Sequence, residues 1–274
     1  MDIVYERALA LSGTGKPFVI VTITESDGST PRKIGAKMIV VEDGSIIGTI
    51  GGGPLEHNSA KIALEAMAEG KCRKVRFELS DLMLTCGGNV EVFFEPHAAR
   101  DRAVIFGGGH IAYQLSPLLN SIDFRTAVVE DREEYLTRDR FDGCEKIKVP
   151  GYGFDELEKH CAGLNLKEND YIVIITRGHE YSDGRVLDYL MSMPFDFKYV
   201  GMIGSKNKVF ECMKGLIEKG YPKEKLARVF APVGIDIGGE TPAEIAVSIT
   251  AQMLSVKYSK DGKHVRDKKG YFNS

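Results

Sequence analysis

The sequence lacks the cysteine pairs on which a disulfide framework or a zinc knuckle depends. Its five cysteines are odd in number, are widely spaced and include no Cys-x-x-Cys pair; they are Cys72, Cys86, Cys144, Cys161 and Cys212. This number and spacing argue against both a disulfide framework and a zinc knuckle. Because unpaired thiols are typical of a reducing compartment, we expect a cytoplasmic protein.

The sequence also lacks an excess of positive charge and a long hydrophobic run near its N-terminus. The formal net charge is −3, with 43% hydrophobic and 27% charged residues, which is an ordinary globular composition. This balance offers no broad cationic face, and the lysine-rich stretch 257–269 is interpreted as a solvated tail, so we expect no nucleic-acid partner. The acids Asp2 and Glu6 argue against a signal peptide or a membrane span at the N-terminus.

The length of 274 residues exceeds that of a typical single domain, and we expect two domains. Residues 1–98 predict a smaller α+β domain. From residue 101 to 258, apolar strands alternate with helical patterns, which is typical of a parallel sheet covered on both faces. The expected fold class is therefore α/β, with a Rossmann-like parallel-sheet domain preceded by the smaller α+β domain and followed by a charged tail at 259–274.

Hydrophobic periodicity and turn residues predict the individual elements. In the first domain we expect strands at 17–24, 36–41, 45–50, 74–79 and 89–94, and a helix from Pro54 to about residue 69. In the second we expect strands at 103–106, 126–130, 171–176 and 199–203, a weaker strand at 146–149, and helices at 111–120, 183–193 and 206–219. A last helix opens with Thr241-Pro242-Ala243-Glu244, which predicts a capping box.

A glycine string follows the first strand of the second domain. Gly107, Gly109 and His110 belong to a G-x-G-x-x-A pattern between a strand and a helix, where bare backbone and helix N–H groups favour a pyrophosphate. Glu130 ends the next strand, at the spacing where an acid accepts a ribose hydroxyl. The alternative, a tight turn without a ligand, stays open.

A second candidate anion site lies in the first domain. Ser29 and Arg32 supply a hydroxyl and a cation in one turn, and the consecutive glycines Gly51, Gly52 and Gly53 supply bare amides that lead into a helix. Such donors favour a phosphate or another oxyanion. A solvated hairpin loop with a plain glycine turn is the alternative.

Cys86 stands before two glycines and is the candidate reactive thiol. A flexible turn makes a thiol accessible, and nearby amides or a cation lower its pKa and favour the thiolate. The alternative is that Cys86 is buried and inert like most lone cysteines. None of the other four cysteines has a glycine on both sides, and we expect these four to be packing residues.

Two polar clusters follow predicted strands of the second domain. Arg177 and His179 follow the third main strand, and Ser205 and Lys206 follow the fourth. The carboxyl ends of parallel strands face the ligand crevice, so we expect these side chains near the glycine string. For His179 we favour binding over proton transfer, because no metal-ligand partner stands at a suitable spacing.

These motifs together resemble the XdhC/CoxI family of molybdenum-hydroxylase maturation factors. The resemblance rests on segments 29–38, 48–56, 86–88, 107–112, 131–132, 177–180, 201–205, 232–238 and 241–246. One departure is Thr85, which stands where many relatives have a second cysteine before the glycine pair. A mechanism that needs a vicinal dithiol is therefore not expected.

The resemblance implies a cofactor-binding chaperone rather than a turnover enzyme. It implies binding of molybdenum cofactor, in its molybdopterin or dinucleotide form, and its sulfuration and insertion into a xanthine dehydrogenase-like hydroxylase. Cys86 would then transfer sulfur or contact molybdenum, with a cysteine desulfurase as a further partner and a homodimer as the expected assembly. One rival hypothesis is an NAD(P)-dependent oxidoreductase, with His179 as the acid/base and with cofactor residues Gly107, Gly109 and Glu130. The other is a nucleotide-sensing module.

Overall fold

The computed structural model describes residues 3–81, 87–177 and 182–268. The chain divides into two compact units, Met1–Arg100 and Asp101–Ser274. Each unit has its own β-sheet and its own hydrophobic core.

The first unit is built on an antiparallel sheet. Its elements are α1 (Ile3–Thr14), β1 (Phe18–Asp27), β2 (Lys37–Val41), β3 (Ile46–Gly48), α2 (Gly53–Glu69), β4 (Arg73–Glu78) and β5 (Asn89–His97). The strand order is β3-β2-β1-β5-β4. Val19, Val21 and Ile23 alternate along β1 and pack with Leu55 and Ala63 of α2, as expected for a half-buried strand. The unit is therefore α+β, as the sequence predicts.

The second unit is built on a parallel sheet. Its strands are β6 (Arg102–Phe106), β7 (Arg125–Glu130), β8 (Glu145–Lys148), β9 (Tyr171–Ile174) and β10 (Tyr199–Met202), in the order β10-β9-β6-β7-β8. All four pairings are parallel. This is the Rossmann order: β7 and β8 lie on one side of the first strand, β6, and β9 and β10 lie on its other side.

Helices cover both faces of the parallel sheet. The helices of this unit are α3 (His110–Ser121), α4 (Phe154–Cys161), α5 (Ser182–Met191), α6 (Lys206–Glu218), α7 (Lys223–Leu226), α8 (Pro242–Lys257) and α9 (Val265–Lys268). Ile105 packs with α3 and α8 on one face, while Phe106 packs with α4 and α5 on the other. Because both faces are covered, β6, β7, β9 and β10 are largely apolar, whereas the edge strand β8 is mostly charged and exposed.

Local sequence signals define several helix ends. Thr241 and Glu244 form the capping box that the sequence predicts at the start of α8. Pro54 stands in the first turn of α2, and Gly70 ends that helix in the left-handed conformation. Helix α4 was not predicted, since it has only eight residues and four of them are Asp, Glu or Lys.

Candidate functional site

The first domain brings its glycine loop against the turn that follows β1. Gly51 has a φ of 133°, and a Cβ atom there would lie 2.6 Å from Cγ of Pro31. Gly88 is similarly close to the turn, since a Cβ atom on it would lie 2.6 Å from the carbonyl oxygen of Ser29. Only glycine leaves room at both contacts. Three segments that are distant in the sequence therefore meet at one end of this sheet.

The turn after β1 presents polar groups to solvent. Ser29 and Arg32 are both exposed, and the hydroxyl of Thr30 donates to the carbonyl oxygen of Arg32 at 3.0 Å, which holds the turn. A hydroxyl and a guanidinium are thus accessible at the place where the glycine segments meet. Cys86 stands two positions before Gly88 in the sequence and lies outside the described residues.

The glycine loop of the first domain is filled by an internal carboxylate. Oε1 of Glu56 accepts hydrogen bonds from the hydroxyl of Thr49 at 2.5 Å, the amide of Ile50 at 3.1 Å and the amide of Gly52 at 2.8 Å. Gly51, Gly52 and Gly53 all have positive φ, which turns these groups toward Glu56. The amide of Gly52, predicted to bind an external anion, is therefore already used within the protein.

The glycine loop of the second domain lies against the end of β9. Gly107 has a φ of 110°, and a Cβ atom on it would overlap the carbonyl oxygen of Ile175 and lie 2.8 Å from Cα of Thr176. Gly109 differs, because its φ is −71° and a Cβ atom there would have nothing within 4 Å. Gly107 is thus a packing glycine, whereas Gly109 faces open space at the start of α3.

Glu130 is buried beneath this second loop. Its side chain is 1% exposed, and its Oε2 accepts the amide of Gly108 at 2.5 Å. Its Oε1 accepts the amide of Arg132 at 3.0 Å and Nε of Arg132 at 2.7 Å. Burial raises the pKa of Glu130, but Arg132, Asp131 and the two amides outweigh it and lower the pKa to about 2. Both oxygens of the predicted ribose acceptor are therefore engaged within the protein.

The predicted residue His110 lies beside a cavity of about 380 Å³ in the second domain. His110 is exposed at the first position of α3, and the cavity also reaches residues 241–243 at the start of α8. Nη2 of Arg140 donates to the carbonyl oxygen of Gly108 at 3.1 Å, so the guanidinium holds the glycine loop from this side. Two helix N-termini and two basic residues border this cavity.

A second cavity, of about 300 Å³, opens at the carboxyl ends of β7, β8 and β9. Arg177, which the sequence predicts as a site residue, lines it together with Asp131, and its Nη2 donates to Oδ2 of Asp131 at 2.7 Å. Asp131 was not predicted as a site residue, although its position directly after β7 is the signal that could have found it. His179, the predicted neighbour of Arg177, lies outside the described residues.

The two remaining predicted residues, Ser205 and Lys206, lie at the start of α6. Ser205 is the N-cap of α6, where its Oγ accepts the amide of Lys208 at 3.4 Å. Lys206 is exposed.

The other cysteines differ in exposure. Cys144 and Cys161 are buried, and burial raises the pKa of Cys161 to about 12. Cys212 is half-buried, and burial likewise raises its pKa, to about 11. Cys72 is exposed, so the prediction that it packs in the interior is wrong. Of these four thiols, two are therefore buried, one is half-buried and only Cys72 is exposed to solvent.

The described residues contain neither a cluster of metal ligands nor a helix suited to a membrane. Across residues 3–81, 87–177 and 182–268, no three His, Cys, Asp or Glu side chains are grouped so that they could hold a metal ion. Within the same residues, no helix has the length and apolar character needed to cross a membrane.

Comparison with known protein families agrees with this two-part organisation. The model of the XdhC Rossmann domain matches residues 103–253, and that of the XdhC and CoxI family matches residues 11–78. The chain belongs to the XdhC and CoxI family.

Three curated proteins are similar to the chain. YqeB of Escherichia coli K12 is 33% identical over 94% of this chain and 47% of its own length. The molybdenum cofactor insertion chaperone PaoD of the same organism is 26% identical over 89% of this chain and 85% of PaoD. A probable xanthine dehydrogenase subunit of Bacillus subtilis 168 is 24% identical over 61% of this chain and 46% of that protein. The chain thus spans about half the length of two of these relatives.

One solved structure has the same fold. The crystal structure of a xanthine dehydrogenase from Bacillus halodurans superposes with a TM-score of 0.51 at 23% identity, over 93% of this chain and 96% of that one. At this identity the likeness supports the fold alone.

Proposed function

We propose that this protein is an accessory factor that binds molybdenum cofactor and assists its sulfuration and insertion into a xanthine dehydrogenase-like hydroxylase. The observation that carries the proposal is the meeting of the Ser29 turn, the Gly51 loop and Gly88 at one end of the first domain's sheet. Membership of the XdhC and CoxI family and the similarity to the insertion chaperone PaoD support the same role.

The cofactor is the cargo of this protein, and the residues of the first domain suit its chemistry. Arg32 and Ser29 are exposed and offer a charge and a hydroxyl to the phosphate of the pterin. The amides of Ile50 and Gly52 are bonded to Glu56, so the glycine loop contributes its shape rather than these two donors. The phosphate contact is therefore assigned to the turn after β1, with the glycine loop as its support.

Cys86 is assigned the sulfur chemistry of the site. A thiolate is both a soft ligand for molybdenum and the form of cysteine that accepts and transfers sulfur. In this proposal a cysteine desulfurase supplies the sulfur, and Cys86 either carries it or contacts the metal centre during the exchange. The four other cysteines take no part, because three are enclosed and Cys72 lies in a different loop from the glycine segments.

The alternative role as an NAD(P)-dependent oxidoreductase depends on Glu130 as the ribose acceptor. The 1% exposure of Glu130 and its bonds to Gly108 and Arg132 disfavour that assignment. No described contact favours hydride transfer, and we do not propose it.

The test is activation of a cofactor-free hydroxylase with a matched pair of cysteine variants. Cys86→Ser removes the soft, ionisable ligand with little change in shape, so we expect a folded protein that no longer supports activation. Cys72→Ser changes an exposed thiol of the same domain and should activate as well as the wild type. Full activation by Cys86→Ser would show that the thiol has no essential role.

A further inference from the structure

A cavity of about 770 Å³ lies between α5 and α6 in the second domain and is not used by the proposed site in the first domain. Met202, which ends β10, and the next residue, Ile203, line it between the two helices. Its volume is well within the range of small-molecule sites. The cavity runs along the faces of two helices, whereas the glycine string follows β6, so it is a separate candidate site.

Two glycines line this cavity, one from each helix. Gly184 lies in the first turn of α5, and Gly215 lies in the interior of α6. A Cβ atom on Gly215 would have nothing within 4 Å, so close packing does not explain this glycine. Glycine is less favourable than alanine inside a helix. Gly215 therefore leaves the cavity open at the expense of helix stability.

The cavity has apolar walls and a charged rim. The buried side chains of Met202, Val209 and Leu216 contribute to its walls. Its charged residues are three acids and three bases, namely Asp183, Asp188, Glu211, Arg185, Lys208 and Lys219. Because these charges balance, the cavity favours a ligand without net charge over a cation or an anion.

Two of the acids, Asp183 and Asp188, differ in their hydrogen bonds. Both oxygens of Asp188 are bonded, Oδ2 to Nζ of Lys219 at 2.6 Å and Oδ1 to the hydroxyl of Tyr221 at 3.0 Å. Oδ1 of Asp183 accepts the amide of Thr176 at 3.0 Å and its hydroxyl at 2.5 Å. Oδ2 of Asp183 forms no hydrogen bond within the described part of the chain. This oxygen is therefore left to accept from a ligand.

The surroundings of Asp183 indicate the chemistry of that ligand. Burial raises the pKa of Asp183, although the bonds from Thr176 and the charge of Lys208 oppose this, so the carboxyl group is partly shielded from water. A hydrogen bond to a carboxylate is stronger in such a place than in water. Lys208, close enough to act on Asp183, offers a donor to a carbonyl oxygen. The apolar walls suit a flat ring, with which the Met202 thioether makes favourable contacts.

We propose that this cavity binds a fused ring with a 2-amino-4-oxopyrimidine edge, whose amine donates to Oδ2 of Asp183 and whose carbonyl oxygen accepts from Lys208. Such a ring is flat and uncharged, and it carries its donors beside its acceptor. Pterins and guanine share this edge. The inference deepens the proposed function and rests on it in one respect, because the cargo of that function contains a pterin.

The first experiment removes the amine from the ligand. The full wild-type chain is titrated with 6-hydroxymethylpterin and with 6-hydroxymethyllumazine, and likewise with guanosine and with inosine. The second compound of each pair lacks the amine, and loss of a hydrogen bond to a carboxylate should weaken its binding by about tenfold or more. Equal affinities within both pairs, or no binding of any of the four compounds, would overturn the proposal.

The second experiment tests the carboxylate. Asp183→Asn keeps an oxygen for Thr176 but replaces the other acceptor with a donor, so the preference for the amine should disappear and affinity should fall by about tenfold. The control is Asp196→Asn, whose carboxylate forms an exposed ion pair with Arg228 in the same domain and should leave the preference unchanged. A folded Asp183→Asn protein that still prefers the amine would contradict the assignment.

The third experiment fills the cavity without removing a polar group. Gly215→Met should keep or raise the unfolding temperature, because methionine is a better helix former, and should weaken binding of the preferred ring by about tenfold or more. Gly163→Met is the control, since a Cβ atom on Gly163 also has nothing within 4 Å and this glycine lies outside the cavity lining. Wild-type affinity in Gly215→Met would place the ring elsewhere.

The same titrations distinguish the two sources of the ring. Tighter binding of 6-hydroxymethylpterin than of guanosine assigns the cavity to a pterin, and the reverse order assigns it to a guanine nucleoside. Activation of the hydroxylase is scored separately. Amine-selective binding without activation would refute the proposed function and leave this inference standing, whereas activation by a chain that binds neither ring would do the opposite.

Discussion

The two glycine loops of this protein look alike in sequence and are filled in different ways. The loop around Gly52 is filled by Glu56, which lies on the helix that follows directly and accepts from the neutral donors Thr49, Ile50 and Gly52. The loop around Gly108 is filled by Glu130, which comes from the neighbouring strand, is 1% exposed and also binds a guanidinium. A glycine-rich loop therefore does not by itself mean a vacant anion site.

The two internal carboxylates also differ in what surrounds them. In the first domain, the internal carboxylate of Glu56 bonds to a loop that packs on Pro31, and the side chains of Ser29 and Arg32 in the adjoining turn are exposed. In the second, Glu130, which the sequence predicts as a ribose acceptor, is buried and bonded to the amide of Gly108 and to Arg132. The four predictions that follow test this contrast, from the largest expected effect on the free energy of unfolding to the smallest.

The largest loss of stability is expected for Gly107→Ala. A Cβ atom would overlap the carbonyl oxygen of Ile175, and alanine is strained at a φ of 110°. Together these effects should lower the free energy of unfolding by about 3 kcal/mol, measured by urea denaturation. A loss below about 1 kcal/mol would mean that the loop relaxes away from β9 at little cost.

Glu130→Gln should follow. The substitution removes the charge of the carboxylate that binds the Arg132 guanidinium at 2.7 Å, leaves only the more distant Asp131 at 3.8 Å, and weakens the bond from Gly108. We expect a loss of about 2 to 3 kcal/mol in the same urea measurement. Stability equal to that of the wild type would contradict the structural role given to Glu130 and restore it as a candidate ribose acceptor.

Glu56→Gln should have a smaller effect on stability. Glutamine keeps an oxygen that can accept from Thr49, Ile50 and Gly52, and these donors are neutral, so the loss should be about 1 kcal/mol. If Glu56 instead stabilised its loop as strongly as Glu130 does, the two glutamine variants would lose equal stability, and the contrast between the loops would fail.

Gly109→Ala should have the smallest effect. The φ of −71° suits alanine, and a Cβ atom there would have nothing within 4 Å, so we expect a change within about 0.5 kcal/mol. It is the matched control for Gly107→Ala, two positions away in the same loop. A loss as large as that of Gly107→Ala would show that any side chain in this loop disturbs the fold.

Much of the fold could be predicted from the sequence, because the strongest signals are local. The apolar runs of β6, β7, β9 and β10 mark buried parallel strands, and the Thr241 capping box marks the start of α8. Helix α4 escaped prediction because its eight residues make little more than two turns, which is too short for a helical periodicity to stand out.

The site could be predicted only in part, since its contacts depend on which side chains meet in space. The sequence shows glycines 51–53 and 107–109 but not that Glu56 and Glu130 bond to them. It likewise shows two acids after β7 without showing that Glu130 turns inward and that Asp131 lines a cavity. The exposure of Cys72 likewise depends on which residues pack around it, and the residue type alone does not show this.

The most direct test of the central claim is to identify what the protein carries. The full chain is purified without oxygen from its own host, and the released small molecules are analysed by mass spectrometry and by the fluorescence of pterin oxidation products. The account predicts a molybdopterin-derived ligand from the wild type and a reduced amount from Arg32→Met, which removes an exposed cation from the turn after β1. A protein that releases no pterin, in host cells that make active hydroxylase, would contradict the account.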